Sequence, residues 1–262
     1  MTINTVLFDL AGTTIDCGCM APVAVFVEVF RRRGVPVTIA AARGPMGTHK
    51  REHIRRMCTD PVVAADWTAV HGAAPTDADI DAMYAEAEPL QVACLPDFAD
   101  PIPGFIEVAG RLRARGLRLG ATTGYTRPMV EVLAPLLAAR GWIPDALVCA
   151  SDVAAGRPSP LMNELVAERL GAADPRSCVV FGDTVVDMEA ARNAGMWAVG
   201  VSLTGNEVGL DWPALQALSP SERALRAERA AARLRGAGAH VVIDAVPGAE
   251  AAIAGFAEGW LS

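Results

Sequence analysis

The stretch Val6–Asp16, VLFDLAGTTID, decides the fold. Val6, Leu7 and Phe8 form an apolar run without alternation, the pattern of a central parallel strand covered on both faces, and Asp9 ends it abruptly. Open α/β sheets bind ligands outside the carboxyl ends of such strands, so Asp9 is predicted to stand at a binding edge. Gly12 lets the backbone turn closely around a bound group, and Thr13 and Thr14 offer hydroxyl and N–H groups to an anion. Taken alone, the same short pattern also describes an aspartate that caps the next helix.

Working outward, Val23, Phe26, Val27 and Phe30 recur at helical spacing, and Arg31–Arg33 with Gly34 form a basic C-terminus. Further helices are predicted from near Thr38, from about Thr48 to Met57, from about Val62 to Val70, and after Pro75. In the last of these Thr76 caps, Asp79 follows three residues on, and Ile80, Met83, Tyr84 and Ala87 share one face. No strand signal interrupts them. The proline- and aspartate-rich run Leu95–Gly104, LPDFADPIPG, reads as a linker. Beyond it strands alternate with helices: Leu117–Thr123, Ala146–Ala150, Val179–Gly182, Trp197–Val201 and His240–Ile243. Such alternation gives a parallel sheet with right-handed crossovers, which Val6–Phe8 joins from the other side of the helical block.

The predicted fold class is therefore α/β, a Rossmann-like doubly wound parallel sheet with an inserted α-helical cap domain. Residues 1–19 and 98–262 are assigned to the catalytic core and residues 20–97 to the cap. Hinges fall near Cys17–Met20 and Leu95–Pro101, and the cap is placed to act as a lid. The arginine- and alanine-rich run Ser221–Ala237 reads as a solvated surface helix.

The chain has 262 residues, 52% of them hydrophobic, enough for a large core. Its net charge of -7 and pI near 5.2 supply no basic field for nucleic acid, so the expected partner is a small molecule. No apolar run approaches the roughly 18 residues of a membrane span, and no positively charged leader precedes the first strand. The expected location is the cytoplasm. Six scattered cysteines suit reduced thiols. Cys17-Gly18-Cys19 lacks partners spaced for zinc and reads as small residues at a hinge, with Cys19 near enough to Asp9 to border its site.

Three more sheet ends carry polar groups. Thr122, Thr123 and Gly124 follow one strand, and Arg157 lies in the loop after another with a planar fork suited to two phosphoryl oxygens. Gly182 delivers Asp183, with Asp187 one helical turn beyond, so two carboxylates face one place with Asp9. Hard oxygen ligands of this kind suit Mg2+. In this order the four motifs, DLAGT, TTG, Arg157 and GDTVVD, resemble the haloacid dehalogenase superfamily. The resemblance implies an aspartyl-phosphate intermediate on Asp9. It also implies Mg2+ held by Asp9, Asp183 and the Ala11 carbonyl with Asp187 in support, and phosphoryl oxygens held by Gly12, Thr13, Thr123 and Arg157. Spacing alone leaves Thr122 and Thr123 both open.

The chain departs from the superfamily's phosphatases and mutases at Ala11, where they carry an aspartate that protonates the departing oxygen. Without that acid, cleavage of an ordinary ester would lose roughly 100-fold or more. The insertion supplies a replacement. Lys50 is the sole lysine, against 22 arginines in a Lys+Arg total of 23. Pro45, Met46 and Gly47 precede its helix, so Lys50 falls in the first turns, where the positive dipole end favours the neutral amine that attacks a carbonyl. His53, at i+3, shares that face, and Met46 offers a soft contact.

DLAGTTID with Cys19, PMGTHKREHIRR, TTGYTR, GRP and GDTVVDMEAARNAGMW together look like the phosphonoacetaldehyde hydrolase family, over nearly the full length. The resemblance implies a Schiff base on Lys50, assisted by His53, Tyr125, Met46 and Cys19, and a homodimer. It implies hydrolysis of a small-molecule phosphonate, phosphonoacetaldehyde, to acetaldehyde and phosphate. The rival readings are a sugar-phosphate phosphatase or phosphomutase on the same core, which Ala11 disfavours, and a non-catalytic phosphate-binding relative.

Overall fold

Strand β1 (Thr5–Asp9) lies inside a parallel sheet in the computed structural model, which describes residues 2–257. Successive side chains of a strand point to opposite faces, and here both faces are covered. Val6 and Phe8 enter one apolar cluster with Phe105, Trp142 and Phe181, while Leu7 enters another with Met162, Val166 and Val180. The unbroken apolar run predicted this burial.

The chain then passes through α1 (Met20–Arg31), α2 (Ile39–Arg43), α3 (Lys50–Thr59), α4 (Pro61–His71) and α5 (Asp77–Cys94) before any second strand. Side chains mark where these helices start: Thr38 caps α2, Asp60 accepts from Val62 and Val63 with Pro61 in the first turn of α4, and Thr76 and Asp79 close a reciprocal capping box on α5. The helices bury Phe26, Phe30, Ile54, Met57, Trp67 and Met83 in a cluster distinct from those of the sheet. Each such side chain contributes about 1.5–3 kcal/mol by leaving water.

There follow α6 (Phe105–Ala114), β2 (Arg118–Thr123), α7 (Arg127–Ala139), β3 (Ala146–Cys149), α8 (Leu161–Arg169), β4 (Cys178–Gly182), α9 (Val185–Asn193), β5 (Trp197–Val201), α10 (Trp212–Ala217), α11 (Pro220–Gly236), β6 (Val241–Ile243) and α12 (Ala249–Ala257). The strands are all parallel, in the order β3-β2-β1-β4-β5-β6. This is the expected doubly wound sheet. Its order reverses at β1, whose neighbours are β2 on one side and β4 on the other. Asp9 pairs with Thr122 and Phe8 with Phe181, which sets the carboxyl ends of these strands side by side.

One detail refines the sequence reading and another agrees with it. The run Leu95–Gly104 is not wholly irregular, because Leu95–Phe98 forms a single 3-10 turn and Pro101 bridges to Ile15. Helix α11 begins at Pro220, capped by Ser219 and Glu222, and buries only Ala230, Ala231 and Leu234, as a solvated helix should. Among the described residues no helix is long and apolar enough to cross a membrane.

Candidate active site

Three carboxylates converge at the switch point of the sheet. Asp9 is the last residue of β1, Asp183 directly follows β4, and Asp187 lies in the first turn of α9. All three are buried, and each offers an oxygen within 4.8 Å of the others. Asp187 is fixed by its own helix start, where the Thr184 N–H and hydroxyl donate to Asp187 Oδ2. Arg157, also buried, places Nη1 2.7 Å from Asp9 Oδ1 and 2.8 Å from Asp187 Oδ1, and its Nη2 donates to Thr122 Oγ1 at 2.7 Å.

Asp183 accepts from the Thr13 hydroxyl at 3.1 Å, the Cys19 thiol at 3.2 Å and the Asn206 N–H at 2.7 Å, none of them a cation. Burial, with Asp9 and Asp187 adding repulsion, holds the Asp183 carboxyl well above the usual range. Burial also pushes Asp9 up to about 7, with Arg157 opposing and Asp187 reinforcing the rise. Hard oxygens crowded in a dry place with one shared guanidinium are suited to a divalent cation, which would offset this repulsion. The backbone is shaped to the same end. Gly12 adopts φ +84°, and a Cβ there would lie 2.3 Å from Asp183 Oδ2 and 2.6 Å from Cys19 Sγ.

Opposite this sheet edge stands Lys50, the first residue of α3 and 5% exposed. Its ammonium has ring faces for neighbours, with Nζ 5.0 Å from the Tyr125 centroid and 5.6 Å from that of Phe26. Ring faces replace water poorly, so burial lowers the Lys50 pKa to about 8. A cavity of about 20 Å³ separates the two sides, lined by Asp9, Ala11, Cys19, Met46, Lys50, Thr123, Tyr125 and Arg157. Burial keeps the Cys19 thiol protonated, and its one S–H is shared between Asp183 and the Ala11 carbonyl, which lies 3.1 Å from Sγ. The Tyr125 hydroxyl is buried without a hydrogen-bond partner among the described residues.

A model of the haloacid dehalogenase-like hydrolases matches residues 3–195. A phosphonoacetaldehyde hydrolase of Nitratidesulfovibrio vulgaris is 52% identical over 244 residues, covering 93% of this chain and 87% of that one. The phosphonoacetaldehyde hydrolase of Bacillus cereus is 45% identical over 250 residues, 95% of each chain. The chain belongs to the phosphonoacetaldehyde hydrolase family of haloacid dehalogenase-like hydrolases. A crystal structure of a phosphonoacetaldehyde hydrolase-like protein from Oleispira antarctica superposes with a TM-score of 0.96 at 40% identity, covering 99% of this chain and 95% of that one. The β-phosphoglucomutase of Clostridium difficile, at 16% identity and a TM-score of 0.70, shares the fold.

Around this cavity, the residues singled out in the sequence fall into layers. Asp9, Ala11, Cys19, Met46, Lys50, Thr123, Tyr125 and Arg157 meet at the cavity. Gly12, Thr13, Asp183 and Asp187 lie around its carboxylate side, where the Thr13 hydroxyl is spent on Asp183. Of the two threonines left open, Thr123 lines the cavity, whereas Thr122 accepts from Arg157 beneath it. His53 stands behind Lys50, stacked on Phe26 at 3.8 Å with Nε2 2.8 Å from the Ala42 carbonyl, and burial holds its pKa well below the usual value.

Four residues were not read from the sequence: Asp16, Arg43, Thr184 and Asn206. Asp16 has φ 49° and accepts from the Met20 and Ala21 N–H groups at the start of α1, and burial raises it to about 7. Thr184 was visible inside GDTVVD as a capping residue three before Asp187. Arg43 was one arginine among many, and Asn206 carried no local pattern.

Proposed function

We propose that this chain is a Mg2+-dependent hydrolase that converts phosphonoacetaldehyde and water to acetaldehyde and phosphate, through an imine on Lys50 and a phosphoryl group on Asp9. The observation that carries this reading is one cavity lined by Asp9, by Ala11 where an acid would serve ester cleavage, and by the buried Lys50 amine. A phosphorus–carbon bond does not break easily to expel a bare carbanion. A protonated imine on the adjacent carbon accepts the electrons instead.

The Lys50 amine attacks the aldehyde carbon and loses water to give the protonated imine. Asp9 attacks phosphorus, the phosphorus–carbon bond breaks, and its electron pair forms a carbon–carbon double bond while the C=N π pair moves onto nitrogen, leaving a neutral enamine. No proton need reach the leaving atom at that moment, which is why Ala11 suffices. The enamine carbon then takes a proton, imine hydrolysis frees acetaldehyde and Lys50, and water hydrolyses the aspartyl phosphate. Thr123 and Arg157 hold phosphoryl oxygens, and Gly12 and Thr13, whose own donors bond Ile15, Leu10 and Asp183, shape the turn beside them. The Tyr125 hydroxyl, buried with no partner among the described residues, is available to the aldehyde oxygen, and Cys19, Met46 and His53 support Lys50. Asp9, Asp183, Asp187 and the Ala11 carbonyl would hold Mg2+, whose charge offsets the repulsion between an anionic nucleophile and an anionic substrate.

Residues 20–97 serve as the cap over a core of residues 1–19 and 98–262, and the enzyme works in the cytoplasm as a homodimer. Equimolar release of phosphate and acetaldehyde from phosphonoacetaldehyde, dependent on Mg2+, is the expected result. Comparable turnover of a sugar phosphate, insensitive to borohydride, would favour the phosphatase reading instead.

A further inference from the structure

Arg43, at the end of α2, holds its guanidinium on neutral groups from several segments. Nη1 donates to the Gly18 carbonyl and to Asn206 Oδ1, and Nη2 to the Gly209 carbonyl at 3.0 Å and to Met20 Sδ at 3.2 Å. Gly18 belongs to the connection between β1 and α1, and Asn206 and Gly209 to the loop between β5 and α10. Asn206 answers with its own amide, Nδ2 donating to the Arg43 carbonyl at 3.3 Å, while its main-chain N–H bonds Asp183 Oδ2. Gly209, at φ +65°, leaves the space that the guanidinium fills, since a Cβ there would lie 2.7 Å from Arg43 Cζ and Nε.

The connection that Arg43 grips is left-handed at Asp16 (φ 49°), Gly18 (φ 81°) and Cys19 (φ 52°). Non-glycine residues keep such a backbone only where their surroundings impose it. The cavity between Asp9 and Lys50, about 20 Å³, has room for roughly one water. An organic phosphonate therefore enters after the helical block moves off the sheet edge, and motion away from the β5–α10 loop breaks the bonds of Arg43 to Asn206 and Gly209.

We infer that Arg43 is the latch of this closed arrangement: a positioning residue that ties the helical block to the β5–α10 loop and, through Asn206, steadies Asp183. The inference rests on reading that cavity as the reaction site. Its device is the planar fork, which bonds several acceptors at once where a lysine ammonium would serve as a point charge.

The test compares Arg43→Lys, which keeps the charge, with Gly209→Ala, which keeps Arg43 but fills its place. In both, amide hydrogen exchange of residues 14–22 and 203–211 should quicken about tenfold, as loss of one or two charge-assisted hydrogen bonds implies. Phosphate release should show kcat lowered about tenfold or more with KM changed less than about threefold, because closure is lost while Thr123 and Arg157 stay in place. Trapping of Lys50 by acetaldehyde and borohydride should not slow. Parental exchange in both segments with parental kcat in both variants would overturn the latch. A parent enzyme that released no phosphate from phosphonoacetaldehyde would overturn the reaction assignment instead, and the exchange rates would still judge Arg43.

Discussion

Asp9 and Lys50 line one small cavity from two different parts of the fold, the first at a strand end of the sheet and the second in the first turn of a helix from the inserted block. Their proposed roles need both groups deprotonated, which leaves a charged anion at Asp9 but a neutral amine at Lys50. Burial favours the neutral form of both, raising Asp9 to about 7 and lowering Lys50 to about 8. At Lys50 this assists attack on an aldehyde. At Asp9 it opposes attack on phosphorus, and the Arg157 guanidinium 2.7 Å away works against it.

Asp9→Asn should lower phosphate release by about 10⁴-fold or more, since the amide is not nucleophilic. The fold should survive, because Arg157 keeps Asp187 as its partner. Imine formation does not need Asp9, so borohydride with acetaldehyde should still leave one adduct on Lys50, the sole lysine of the chain. Phosphate release at the parental rate would remove Asp9 from the role of nucleophile.

The sheet and the helical block were legible because their signals are local. VLF without alternation, a capping box at Thr76 and Asp79, and strands separated by helices each report on a few neighbouring residues. The metal-suited triad was legible for a related reason, since each carboxylate sits at a strand end that the parallel order brings together. What was not legible depends on distant approach. Nothing near Arg43 announces Gly18 or Gly209, and no spacing rule separates Thr122 from Thr123 until Arg157 claims one of them. His53 shows the limit of facing arguments: it shares a helix face with Lys50, yet its ring is taken up by Phe26 and the Ala42 carbonyl.

Ala11→Asp should reduce turnover of phosphonoacetaldehyde about tenfold or more, because a carboxylate placed on the cavity wall would pair with the Lys50 ammonium and hold it protonated. In the parent, the free-amine fraction rises with pH through about 8, so imine trapping should rise tenfold per unit below that value and level off above it. The variant's profile should shift to higher pH. An unmoved profile would show that the new carboxylate does not reach the amine.

Mg2+ should raise the melting temperature of the parent, because its proposed ligands are carboxylates brought within 4.8 Å of one another by the native sheet. At about 100 times the dissociation constant the gain is about 3 kcal/mol, or roughly 5 °C or more for a chain of this size. Asp183→Asn should lose most of that gain. An equal Mg2+ effect on parent and variant, read by calorimetry, would place the ion elsewhere.

Lys50→Met should abolish activity and yet stabilise the fold near neutral pH. Folding takes the amine from water to a site where its pKa is about 8, against an ordinary value of 10.5. Below about pH 8 both folded and unfolded chains carry the proton, and the folded one bears the full cost of burying the charge, about 3 kcal/mol. Between about 8 and 10.5 the unfolded chain binds more protons than the folded one, so the parent gains stability as pH rises. Above that range both forms are neutral and the cost disappears. Methionine has no charge to bury and a similar unbranched shape, so its advantage should be largest at pH 7 and shrink toward pH 10. Urea unfolding of both proteins at the two pH values measures the difference, and a gap of constant size would mean that the buried ammonium does not destabilise the folded chain.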